Sequence, residues 1–200
     1  MNRQMSAIAP RPAVFLDRDG VIIENRTAHV RTWGDVAFFE ESISALKRLS
    51  DLPVAVVVVS NQGAVGRKMM TLEQAWDIQK RIVEIVHQRG GRVDASYLCP
   101  HHPKDGCDCR KPSPGMILQA AKDLNLDLSR SWLVGDAVTD LEAARAAKVR
   151  NIMIRTGRGR DQEALLPADW KAEAIVVDDL AAAVDRILET DYSSQHHQKA

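Results

Sequence analysis

Cysteine is scarce in this 200-residue chain, with three in all, and aromatic residues make up only 4%. That leaves little for a disulfide-stapled scaffold or for a platform on which bases could stack. An excess of charge of one sign is also missing, because 27 Lys plus Arg balance 27 Asp plus Glu. No overall field therefore draws the chain to nucleic acid or an anionic membrane, and any anion it binds must be held locally. The longest apolar run, residues 54–59, falls far short of the roughly 20 residues that a membrane-spanning helix needs. Residues 1–12 carry Asn2, Arg3, Gln4 and Arg11 and lack the apolar stretch of a secretory signal, so the expected address is cytoplasmic. There is no internal repeat, low-complexity block or linker. Residues 1–190 read as one domain, and 191–200, polar and unpatterned, as a loose tail.

What is present is alternation. Short apolar runs at 13–16, 54–59, 95–98, 132–134, 152–154 and 175–177 are separated by helical patterns, the signature of a parallel sheet covered by helices. The predicted fold is α/β, a Rossmann-like three-layer sandwich. Run 54–59 has no polar alternation and should be a strand buried on both faces. Thr71 with Gln74, and Thr139 with Glu142, have capping-box spacing. Ser113-Pro114 predicts an N-cap followed by proline in the first helical position. Leu180, Ala183, Val184, Ile187 and Leu188 mark the last helix.

Directly after the first strand comes Asp17-Arg18-Asp19-Gly20. Residues i and i+2 of an extended chain point the same way, so both carboxylates can converge on one ion or one reacting atom. A solvated Asp/Gly turn is an equally good reading of these four residues alone. Asp136 follows strand 132–134 through Gly135, and Asp140 lies four residues on. Two carboxylates beside a phosphate dianion repel by about 4 kcal/mol per pair at 4 Å and an effective dielectric of 20. Such a site calls for a hard cation such as Mg²⁺.

Cys99, His101, Cys107 and Cys109 fall within eleven positions and can close a Cys₃His tetrahedron around Zn²⁺, with His102 as a possible substitute ligand. Four protein ligands leave no open coordination position, so this zinc would be structural. Unligated, reduced cysteine is the bland alternative. Arg110 and Lys111 follow Cys109 immediately, so the metal would fix both cations.

Four motifs in order, Asp17-Arg18-Asp19-Gly20-Val21, Ser60 at a strand end, Lys111 at a loop-to-helix junction, and Gly135-Asp136 with Asp140, resemble the haloacid dehalogenase superfamily of phosphatases. The resemblance implies an aspartyl-phosphate mechanism with Asp17 as nucleophile and Asp19 as general acid and base. It also implies Ser60 and Lys111 as phosphoryl ligands, and Mg²⁺ at Asp17, Asp19 and Asp136 with Asp140 in support. Asn61, Gln62, Gly63 and Arg110 are expected to bind substrate. The segments 19–60 and 60–111 hold little beyond the sheet elements and the zinc loop, so no lid domain is expected.

Cys-x-His followed by Cys-x-Cys-Arg-Lys-Pro resembles two small uncapped relatives, the heptose bisphosphate phosphatases and the histidinol-phosphate phosphatases. The first implies cleavage of D-glycero-D-manno-heptose 1,7-bisphosphate at C7. Ser60-Asn61-Gln62 and Arg155-Thr156-Gly157 favour it, whereas the five residues between His101 and Cys107 are more like the second. Ala137 and Ala28-His29 depart from the heptose pattern, which often has lysine at the first position and a glycine-tyrosine pair at the second. Arg155, Arg158 and Arg160 read equally well as an anion site or a solvated loop. The expected partner is a small phosphorylated metabolite, without nucleic acid or membrane, and the chain is expected to be monomeric. A catalytically silent, zinc-stabilised binding domain is the reading from a different class.

Overall fold

The computed structural model describes residues 9–192. Six parallel strands, β1 (Ala13–Leu16), β2 (Ala55–Asn61), β3 (Ala95–Cys99), β4 (Trp132–Gly135), β5 (Arg150–Ile154) and β6 (Ile175–Val177), form one sheet in the order β3-β2-β1-β4-β5-β6. Period-two alternation explains the three layers. On one face Val14, Leu16, Val56, Val58, Val134 and Ile152 share a core with helices α1 (Glu40–Ser50) and α3 (Leu72–Gln88) and the last helix, Leu180–Asp191. On the other, Phe15, Val57, Val59 and Leu133 pack on Met116, Ile117 and Ala120 of a helix over Gly115–Leu124 and on Ala143 and Ala144 of one over Val138–Ala146. In chain order the remaining helices complete the labels: α2 (Gly63–Gly66), α4 (Gly115–Leu124), α5 (Val138–Ala146), α6 (Gly159–Ala164), α7 (Ala168–Lys171) and α8 (Leu180–Asp191). β2 is an interior strand with its first six residues buried, as its unbroken apolar run requires.

Local starts differ from the sequence signals in two places. The Thr71–Gln74 capping box forms, through Gln74 N to Thr71 Oγ1 at 3.1 Å and Thr71 N to Gln74 Oε1 at 2.8 Å. The Thr139–Glu142 box does not, because α5 starts two residues earlier at an Ala137 N-cap whose N–H donates to Asp140 Oδ2 at 3.1 Å. In α4 the N-cap is Pro114, not Ser113, a one-residue shift. Helix α1 carries no start signal, since its N-cap Phe39 has no side-chain oxygen; the face Ile43, Leu46 and Leu49 alone places it.

Helix α8 runs through Asp191, one residue into the expected tail. Asp191 accepts Arg150 Nη1 at 2.7 Å and Trp132 Nε1 at 2.8 Å. Residues 193–200 of that tail lie outside the described residues, as do residues 1–8. No described helix is long and apolar enough to cross a membrane.

After β1 the chain builds β2 and β3 on one side and then crosses to β4 on the other. In open α/β sheets a ligand crevice forms at such a switch, beyond the carboxyl ends of the strands. Leu16 pairs with both Val58 and Val134. The register therefore delivers Asp17, Ser60 and Asp136 to one level above the sheet.

Candidate active site

Asp17 leaves β1 with its N–H bonded to Val134 O at 3.0 Å, and the Arg18 N–H donates to its Oδ1 at 2.7 Å. Gly20 turns the chain away at φ +93, and a Cβ there would collide with the Asp136 carboxylate and with Asn25 Oδ1. Only glycine tolerates that conformation and that approach.

Carboxylates of Asp17, Asp136 and Asp140 come within 4.8 Å of one another, and all three residues are buried. Asp136 is pushed up from the usual carboxylate range by burial and by Asp17, against the pull of Arg158. Asp140 is pushed up to about 7, first by burial, with Asp17 and Asp136 outweighed only in part by Lys111. Such crowding of anions at the strand ends suits a divalent, oxygen-seeking cation. Arg158 closes one side of the group, its N–H on Asp136 Oδ2 at 2.9 Å and its guanidinium 3.2 Å from Oδ1.

Lys111 answers from the other half of the sheet. Its Nζ lies 3.0 Å from Asp17 Oδ1 and 2.6 Å from Asp140 Oδ1 and donates to Val59 O at 2.7 Å. Burial works against its charge, but Asp140 and Asp17 win and hold it above the usual lysine range. Asn61 secures the main chain at this point. Its Nδ2 donates to Lys111 O at 2.9 Å while Lys111 N donates to its Oδ1 at 3.0 Å.

Asp19 is placed differently from the expectation of two converging carboxylates. Its oxygens face Arg18 Nη2, at 3.0 Å each, and Gln62 Nε2 at 3.1 Å, and it does not join the acidic group. Gln62 is buried, with its amide engaged by Arg18, Asp19 and the Ser60 hydroxyl. Sequence reasoning passed over Arg18, which is 1% exposed, because an arginine between two aspartates looks like a solvent-facing residue.

Beyond β3 the three thiols and His101 gather as expected. Sγ–Sγ separations are 3.2 to 3.6 Å, and His101 Nδ1 lies 3.1 Å from Cys109 and 3.6 Å from Cys99. A tetrahedron with metal–sulfur bonds of about 2.3 Å has edges of about 3.8 Å, so the donor set fits zinc with a slight expansion. Burial pushes the Cys99 and Cys109 thiols up. His102 is not part of the cluster: its ring accepts from Lys104 N at 3.1 Å and faces Arg67. The loop packs on α2 so closely that a Cβ on Gly66 would strike the His102 backbone.

These residues surround a cleft of about 820 Å³, in the range of small-molecule sites. Asp17, Asp19, Ser60, Asn61, Gln62, Gly63, Arg110, Lys111 and Asp140 line it, and Arg67, His29 and Arg158 complete the wall. Arg155 is turned outward into ion pairs with Glu163 and Asp178. His29 is held below its usual range by burial and by Arg67.

The HAD-hydrolase-like family model matches residues 108–183. The chain is 38% identical over 180 residues to the D-glycero-beta-D-manno-heptose-1,7-bisphosphate 7-phosphatase of Pseudomonas aeruginosa, covering 90% of this chain and 99% of that one. It is 36% identical to the enzyme of the same name from Escherichia coli strain K12, covering 88% and 94%. The crystal structure of the D,D-heptose 1,7-bisphosphate phosphatase of B. bronchiseptica with magnesium and phosphate superimposes with a TM-score of 0.82 at 34% identity, over 90% of this chain and 99% of that one. With this site at its topological switch and these relatives along nearly its whole length, the chain belongs to the HAD-type phosphatases, in the family of the heptose bisphosphate phosphatases.

Proposed function

We propose that this phosphatase removes the C7 phosphate of D-glycero-D-manno-heptose 1,7-bisphosphate through a phospho-Asp17 intermediate. The observation that carries the chemistry is Asp17, buried at the end of β1, with Lys111 Nζ 3.0 Å away and Asp136 and Asp140 beside it. Asp17 and Asp136 would hold Mg²⁺, which would neutralise the phosphoryl group and draw charge from it. Asp140, in the same carboxylate group and paired with Lys111 at 2.6 Å, would support that cation.

Asp17 Oδ attacks phosphorus as the bond to the leaving sugar oxygen breaks, and Asp19 gives its proton to that oxygen. A water then attacks the phosphorus, Asp19 takes the proton back, and the bond to Asp17 breaks to release inorganic phosphate. Lys111 and the Ser60 hydroxyl receive the charge on the phosphoryl oxygens. Cys99, His101, Cys107 and Cys109 would hold Zn²⁺, which would order the loop that carries Arg110 and Lys111.

Substrate class follows from the cleft and the relatives together. Arg67 and Arg110 line the cleft in addition to Lys111, a wall suited to a second anionic group. The same wall repels the ammonium group of histidinol phosphate, the substrate suggested by the short zinc loop. Catalytic efficiencies for both anomers of the heptose bisphosphate and for histidinol phosphate, with and without Mg²⁺, test the reading. A preference for histidinol phosphate, or turnover independent of Mg²⁺, would overturn it.

A further inference from the structure

Arg18 is the largest side chain fully enclosed by the fold, although it is flanked by two aspartates at the cleft. A guanidinium so buried should use all five of its N–H donors. Instead the contacts fall on one edge. Nη2 meets both oxygens of Asp19 at 3.0 Å and Gln62 Oε1 at 3.0 Å, and Nε lies 3.3 Å from Asp19 Oδ1, whereas Nη1 is buried without a partner among the described residues.

Gln62 completes the ring. Its Oε1 is tied to Arg18, so its Nε2 must point the other way, to Asp19 Oδ2 at 3.1 Å and Ser60 Oγ at 2.9 Å. The amide is therefore fixed in one orientation, and the Asp19 carboxylate is gripped from two directions while 23% of it stays open to the cleft.

We propose that Arg18 and Gln62 are positioning residues that hold the Asp19 carboxylate where it can transfer a proton. Neither is required to touch substrate. The proposal rests on the acid and base role of Asp19 given above. The main chain at Arg18 is built for rigidity as well, its carbonyl accepting from Ile22 N at 2.9 Å and Ile23 N at 3.1 Å. The grip serves both half-reactions. In the first the proton passes from Asp19 to the leaving oxygen, and in the second from water to Asp19. A carboxylate free to rotate would meet neither oxygen at hydrogen-bonding distance for most of its time.

Leaving-group dependence separates positioning from simple structural damage. A p-nitrophenolate leaves without a proton, whereas a sugar alkoxide needs one. In the Mg²⁺-loaded enzyme, Gln62→Leu and Arg18→Met should lower kcat on the sugar phosphate roughly 10- to 100-fold, a part of the 10²- to 10⁴-fold that a positioned acid–base contributes. The release of p-nitrophenolate in the first turnover should fall less than threefold, and phosphorylated Asp17 should then accumulate because the second step still needs the base. Arg18→Lys, which cannot reach Asp19 and Gln62 together, should recover only part of the loss.

Equal losses on both substrates, or no loss in Gln62→Leu, would overturn the proposal. If the Arg18 variants fail to fold, Gln62→Leu decides alone. Asp19→Asn is the reference: if it too shows no leaving-group dependence, the acid–base reading of Asp19 has failed, and if it alone shows the dependence, only the clamp has failed.

Discussion

The two candidate metal centres of this molecule are built in opposite ways. The acidic centre collects Asp17, Asp136 and Asp140 from β1 and from the β4–α5 junction, 119 positions apart at its first two members, and the sheet register alone brings them together. The thiolate centre draws all four donors from positions 99–109, and only Cys99 belongs to a strand. The first is organised by the fold whether or not an ion is bound. The second lies within a single loop, and an ion bound there would tie that loop together. The oxygen site should therefore lose chemistry when damaged and the sulfur site should lose order.

The sharpest test of this contrast is Asp17→Asn. We expect turnover to fall by roughly 10⁴-fold or more, as for removal of a nucleophile, with the melting temperature unchanged or raised because one of three crowded anions is gone. A fall in melting temperature would show that the acidic centre holds the fold together. Lys111→Met comes next, with a loss on the order of 10²- to 10³-fold in kcat. It also leaves Asp17 and Asp140 without their buried cation, so urea denaturation should show about 3–5 kcal/mol less stability.

Cys109→Ser, or treatment with a thiol-selective chelator, should act on the other centre. A rise in KM of about tenfold is expected, in line with the loss of a group that orients ligands, with a lower melting temperature and a smaller change in kcat. Zinc removal that alters neither kinetics nor melting would break the link between this loop and Arg110 and Lys111.

The smallest effect lies outside both centres, at Asp191 on α8. Arg150 and Trp132 hold this carboxyl below its usual range, against the opposing effect of burial. Its contribution is present above the unfolded carboxyl value and is lost as pH falls through the lower folded value. Asp191→Asn should cost about 0.2–1 kcal/mol at neutral pH, since the pair is partly exposed to solvent. The difference from the parent chain should vanish in acid, as thermal melts across pH would show.

The strands were legible because doubly buried runs such as 54–59 admit few other readings, and the clustering of Cys99, His101, Cys107 and Cys109 because their spacing is local. Ser60, Lys111 and Asp136 were legible through motif order. Orientation was not. Nothing in Asp17-Arg18-Asp19 indicates that the middle residue turns inward and takes Asp19 with it, or that Asp140 replaces Asp19 in the acidic group. Arg158 read equally well as a solvated loop residue until the fold brought it from 22 positions away onto Asp136. Helix α1 lacked a polar cap and so gave no starting signal.

The paired bonds of Asn61 to the main chain of Lys111 have one more consequence. They grip the N–H and the C=O of residue 111 and leave its side chain alone, so the course of the loop is fixed separately from the charge it carries. A designed change such as Lys111→Met should therefore remove the charge delivered to the phosphoryl group and cost stability through the stranded carboxylates, yet leave the loop on its course. Asn61 itself has no such latitude, because its short carboxamide offers one donor and one acceptor to the C=O and N–H of the same residue.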